Sequence, residues 1–166
     1  MTEFAAAITI FICCLILPLV NLAAVPMRYI IAFGMVSDMT QKFSCAEKRS
    51  QAVALALQPT SYQEFAKQFG ISMRECSVSI LCKSQNAESL ILPECKPIPM
   101  TWLPGSKRGQ INYFLKTETN VEIPPFVCIG PKVAGITAPI KMKLTATAPW
   151  ENLGCDPATQ EFYLNE

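Results

Sequence analysis

Eight cysteines and no histidine bound the chemistry open to this chain of 166 residues. Without imidazole it lacks the commonest general base, the commonest metal ligand and the usual pH switch. Cys13 and Cys14 lie within an apolar stretch, whereas Cys45, Cys76, Cys82, Cys95, Cys128 and Cys155 lie beyond it. These six show neither C-x-x-C spacing nor the histidines of a zinc knuckle. They read as disulfide candidates of an oxidising compartment, with reduced buried thiols as the alternative. Their spacing leaves the connectivity open, with one exclusion. If Cys76 and Cys82 share a strand they stand roughly 20 Å apart, beyond the ~7 Å that a bridge can reach.

The remaining polar residues form no reactive constellation. Glu88, Glu94, Glu118, Glu122, Glu151, Asp156 and Glu161 are scattered acids that read as solvated surface, and no glycine-rich phosphate loop is present. Trp102, Tyr113 and Phe114 read as core aromatics. No catalytic, cofactor-binding or metal site is expected, and no cofactor. Net charge is +1, from 14 basic and 13 acidic residues without a long run of either sign, so the chain carries no electrostatic footprint for nucleic acid.

The one unusual acid is Glu3, at the tip of an apolar run. From Phe4 to Val25 the sequence is uncharged, and as a helix this run would extend about 33 Å, enough to cross a bilayer. A secretory signal peptide would need a basic flank before the apolar core, and the first basic residue here is Arg28. A single-pass anchor would normally be oriented by such residues on the cytoplasmic side. The expectation is that a basic leader has been removed. Pro18 and Pro26 predict local bending, and Asn21 places a polar group in the middle of the run.

Beyond Pro26, Val36, Met39, Phe43, Ala46, Val53 and Leu57 recur at mostly helical steps, opposite Gln41, Lys42, Glu47, Lys48, Arg49 and Gln51. This predicts an unbroken amphipathic helix ending before Pro59. From Glu3 to Leu57 it would be roughly 80 Å long, more than a small head can cover, so the apolar half must be buried by lipid or by other helices.

After the helix the period changes. Ser61–Phe69 reads as a short helix stopped by Gly70. Cys76–Cys82, Ile111–Lys116 and Ile140–Thr147 read as strands, with Phe126–Ile129 a weaker fourth. Prolines punctuate the connections, and Cys155 is expected to tether the tail. The predicted architecture is α+β: residues 1–58 a hydrophobic transmembrane or assembly helix continuing as an amphipathic one, and residues 59–166 a small disulfide-bonded, β-rich extracytoplasmic head.

An acid followed by Phe at the head of an apolar helix (Glu3, Phe4), Pro18 within it, and the continuation CAEKRSQAVALA together resemble the type IV pilin superfamily, and within it the TadE-like pilins of tight-adherence systems. FAKQFGISMRECSVSIL is similar to the short helix, glycine turn and strand with which such heads often begin, and KLTATAPW resembles their last strand. The acid stands third here, where the family usually carries it fifth. The resemblance implies a homo-oligomeric helical filament, a prepilin peptidase and a pilus assembly machinery as partners, the membrane as the location before assembly, and Met1, Glu3 and Phe4 as assembly residues. In it Glu3 pairs with a neighbouring subunit's N-terminal amine and fixes axial register. A monomeric membrane-anchored protein, or a small subunit of a membrane complex, is the alternative, with Glu3 then a helix-capping acid.

Overall fold

The apolar N-terminal residues form one long rod in the computed structural model, which describes residues 2–58, 61–86, 88–94, 96–106, 109–126, 133–134, 138–155, 157 and 162–165. Helix α1 (Thr2–Phe11) passes through a π-turn (Ile12–Ile16) into α2 (Leu17–Ser44). The π-turn falls just before Pro18, whose missing N–H and bulky ring disturb the bonding of the preceding turn. Pro26 lies inside α2 with its side exposed, and the helix continues through it.

The predicted single helix to Leu57 is interrupted. Helix α2 ends at Ser44, whose hydroxyl donates to the Gln41 carbonyl, and α3 (Arg49–Leu57) restarts after Lys48 in extended backbone. Neither proline nor glycine marks this break; tertiary contacts impose it. The Arg49 N–H donates to the Tyr163 carbonyl, and its guanidinium donates to the carbonyls of Lys96 (2.7 Å) and Pro93 (2.5 Å). Arg49, expected on the polar face, is therefore buried, while Leu57, expected in the apolar stripe, is exposed. A charge held by carbonyl oxygens is tolerated inside, where an uncompensated one is very costly.

Helix α4 (Ser61–Gln68) closes as its glycine predicts. Gly70 adopts φ +69°, its N–H donating to the Lys67 carbonyl while that of Ile71 donates to Ala66, the paired closure that a left-handed residue permits. Four antiparallel strands follow: β1 (Ser72–Ser84), β2 (Ser89–Pro93), β3 (Ile111–Ile123) and β4 (Ile140–Pro149), in the order β2-β1-β3-β4. The short edge strand β2 was not expected. Phe126–Ile129 lies mostly outside the described residues, with Phe126 itself in a bend.

One face of the sheet carries the core. Helix α2 packs on β3 and β4, and α3 on β1. Val78, Ile80 and Cys82 of β1, Leu115, Val121 and Ile123 of β3, and Leu144, Ala146 and Ala148 of β4 are buried beneath them. Lys141, Lys143, Thr145 and Thr147 of β4 face solvent, the alternation of a one-sided antiparallel sheet. Trp102 and Tyr113 join the core as expected; Phe114 lies on the other face under Lys83. The tail is held by packing: Leu164 is fully buried, and the Asn165 side chain bonds both the N–H and the carbonyl of Ile98.

Among the described residues no cysteine is bonded to another. Cys45, Cys76, Cys82 and Cys155 carry free thiols, as do Cys13 and Cys14; Cys95 and Cys128 lie outside the described residues. Disulfide pairing is therefore not shown. Cys76 and Cys82 do share β1, and the Cys82 side chain is core filling. Burial pushes both thiols up to about 11, with the charge of Glu94 adding to the effect at Cys76.

Two outcomes follow. A maleimide at neutral pH should label exposed Cys45 and Cys155 at least tenfold faster than Cys76 and Cys82, read by mass spectrometry of the digested chain; equal rates would contradict the burial. Thr117 is fully buried with its hydroxyl unpartnered, so Thr117→Val should stabilise the head by about 1–2 kcal/mol, measured by urea unfolding in detergent micelles.

Candidate functional site: the uncovered apolar helix and its clamp

The rod divides into a free half and a docked half. Residues 3–16 are exposed on every side. From Asn21 onward one stripe turns inward: Asn21, Val25, Arg28, Ala32, Met35, Val36, Met39, Thr40 and Phe43 are buried or half-buried at helical spacing. The opposite side stays apolar well past the point where docking begins. Leu22, Met27, Ile30 and Phe33 are exposed, at 62%, 66%, 67% and 44%, and only at Ser37, Asp38, Gln41 and Lys42 does this side become polar. The helix Glu3–Ser44 is long and apolar enough to cross a membrane, its most apolar 18-residue stretch having a mean hydropathy of 2.6.

Two polar side chains set where the free half ends. Asn21, almost completely buried, accepts a hydrogen bond from the Phe126 N–H at 2.8 Å. Two turns further along, Arg28 donates to the Pro124 carbonyl at 2.6 Å and lies 5.8 Å from the centre of the Phe126 ring. Both therefore grip the loop that follows β3. Gly70 abuts the same guanidinium: a Cβ there would stand 3.6 Å from its nearest nitrogen. The polar group in the apolar run, unexplained by composition, is the contact that fixes the height of the head along the rod.

A second tie lies higher. The Tyr62 hydroxyl donates to Asp38, Lys42 sits 3.4 Å from the same carboxylate, and its ammonium lies 4.7 Å from the centre of the Tyr62 ring. The Tyr62 hydrogen bond, with help from Lys42, holds the Asp38 carboxyl below its usual range. This joins α4 to α2 at the level where the outward side of the helix turns polar.

The assembly residues expected from sequence fall at the free tip. Glu3 stands in the first turn of α1, Phe4 is 73% exposed, and Met1 lies outside the described residues. Among the described residues nothing in the head covers this tip, so the structure places Glu3 and Phe4 at the free end of the rod. Among the described residues Cys45, Cys76, Cys82 and Cys155 are not bonded to one another, and no three Cys, Asp or Glu side chains gather as a metal site. Sequence reasoning missed Asn21 and Arg28 as a pair; their seven-residue spacing on one helix face was the available signal.

No protein-family model matches the chain, and no curated protein or solved structure matches it.

Replacing Asn21 by Ala removes the acceptor of the Phe126 N–H and should speed hydrogen exchange of that amide at least tenfold, the equivalent of about 1.4 kcal/mol. Exchange of the β1 and β3 amides should be unchanged. Exchange at Phe126 equal to that of the parent chain would show that the clamp bears no load.

Proposed function

We propose that this chain is the structural subunit of an extracellular pilus-like filament, assembling from a membrane through lateral packing of its N-terminal helix. The observation that carries the reading is the length of the outward apolar side. From Phe4 to Phe33 it runs about 44 Å, whereas the hydrocarbon core of a bilayer is about 30 Å thick. A solitary anchor has no use for the remainder, where Ile30 and Phe33 stand beside a folded head with their side chains in the open. Neighbouring helices of the same kind would bury both the free half and this extension.

The resemblance to TadE-like pilins agrees with this arrangement. In such an assembly Glu3, which has no cationic partner among the described residues, would be buried in an apolar core and would require a cation; a neighbour's N-terminal amine at the same level would supply one. A prepilin peptidase and an extrusion machinery are the partners the reading entails. The head's role is to coat the fibre, with its polar sheet face outward; adhesion through that face is the part of the reading furthest from the helix. The role is structural and not enzymatic.

The test is microscopy and sedimentation of the fraction sheared from producing cells. Ile30→Glu lies outside the bilayer-spanning part and outside the head core, so it should leave membrane insertion and head melting unchanged while cutting sedimentable fibre at least tenfold. Glu3→Ala should slow assembly with the same intact head. Normal fibre yield from both variants, or a parent chain recovered only from detergent extracts as a monomer, would overturn the filament in favour of a single-pass anchored protein.

A further inference from the structure

We infer that the base of the head is a membrane seat: before assembly Met27, Phe69 and Phe126 rest in the headgroup–acyl boundary of the bilayer that the helix crosses. This rests on the reading that the helix spans a membrane. Two features of the structure support it.

The first is height. Taking Phe4 as the start of the apolar span, Asn21 lies about 26 Å along the helix and Arg28 about 36 Å. A hydrocarbon core of about 30 Å inside a bilayer of 40–45 Å overall places its far interface between these two residues. The loop they hold, Pro124–Phe126, is therefore at the interface, and Gly70, against the same guanidinium, puts the end of α4 beside it. At this height large apolar side chains of the helix and the head are exposed: Met27 and Phe126 are each 66% exposed and Phe69 37%. Aromatic side chains beside a cation suit this boundary, where an arginine directs its charge toward the headgroups.

The second is the way the loop's backbone is satisfied. Poorly hydrated surroundings penalise every unpaired N–H and carbonyl. Pro124 and Pro125 have no N–H to satisfy. The next N–H, that of Phe126, is taken by buried Asn21, and the Pro124 carbonyl by Arg28. A loop facing water needs none of this, because solvent would do the same work. The chain has placed its two helix-borne polar groups where a loop entering the interface requires them.

The experiment reconstitutes the full chain at low density in vesicles of phosphatidylethanolamine and phosphatidylglycerol, with acyl chains brominated near the carbonyl end or near the methyl end. Tryptophan quenching is compared among the parent, Phe126→Trp and Phe11→Trp. The native Trp102 and Trp150 are buried in the part of the core remote from this loop and set the baseline. The added fluorescence of Phe126→Trp should be quenched at least twofold more by the shallow bromines than by the deep ones, and that of Phe11→Trp more by the deep ones. Quenching of Phe11→Trp without any at Phe126 beyond the baseline would overturn the seat and leave the spanning helix standing. Quenching at neither position would remove the seat and the spanning helix together. Phe126 quenching present at the dilute limit and lost as protein density rises would keep the seat for the dispersed subunit, whereas Phe126 protected at every density would overturn it.

Discussion

The constraint from which the rest of the structure follows is coverage. A head of this size can bury only one side of the C-terminal half of the rod, yet the rod is apolar for most of its length. Small side chains line both sides of its contact with the head: Ala32 on α2 and Ala146 and Ala148 on β4 are buried, and Met35, Val36, Met39 and Phe43 fill the space along the helix. Burial of each such large side chain contributes about 1.5–3 kcal/mol, so the docked half is secured by packing. Among the described residues nothing covers the free half, and its burial must come from lipid or from neighbours.

Termination of the docked helix shows the same rule from the other side. Nothing in the local sequence stops α2 at Ser44; the chain turns there because continuing straight would carry α3 off the sheet. Folding back places Ala52 and Ala56 on the core, and the extended residue at Lys48 is compensated by the contacts of Arg49 and by the Asn152 side chain, which donates to the Glu47 carbonyl. The tail thus acts as a latch over the break, and Leu164 completes the core beneath it.

What could be read from the sequence tracks where local pattern and tertiary demand agree. Strand β4 was legible because Ile140, Met142, Leu144 and Ala146 alternate without interruption. Only the second half of β1 was, because a bulge at Glu75, with φ +52°, shifts the register between Arg74 and Cys76 and puts Met73 out of phase with Val78 and Ile80. The second half of β3 was hidden differently: its inward positions include Thr117 and Thr119, so a buried strand face reads as polar. The α+β class and the membrane-length helix needed only composition and period. The helix break, the short strand β2 and the Asn21–Arg28 clamp depend on contacts between residues far apart in sequence, to which periodicity is blind. The cysteines illustrate the converse: their even number suggested bridges, whereas Cys82 serves as an apolar side chain in the core.

The clamp also explains why the head sits where it does and not a turn higher or lower. Packing of an apolar stripe on a sheet is tolerant of sliding, since methyl groups make few directional demands. Hydrogen bonds are not tolerant. A shift of one turn, about 5.4 Å, would withdraw Asn21 from the Phe126 N–H and leave a carboxamide and a guanidinium facing apolar atoms, each costing roughly what an unsatisfied buried polar group costs, about 1–3 kcal/mol. Two polar residues in an otherwise apolar stripe thus convert a slippery contact into a fixed one. In the filament proposed above, a fixed height is what each subunit would have to supply, because an error in the level of the head would recur at every neighbour.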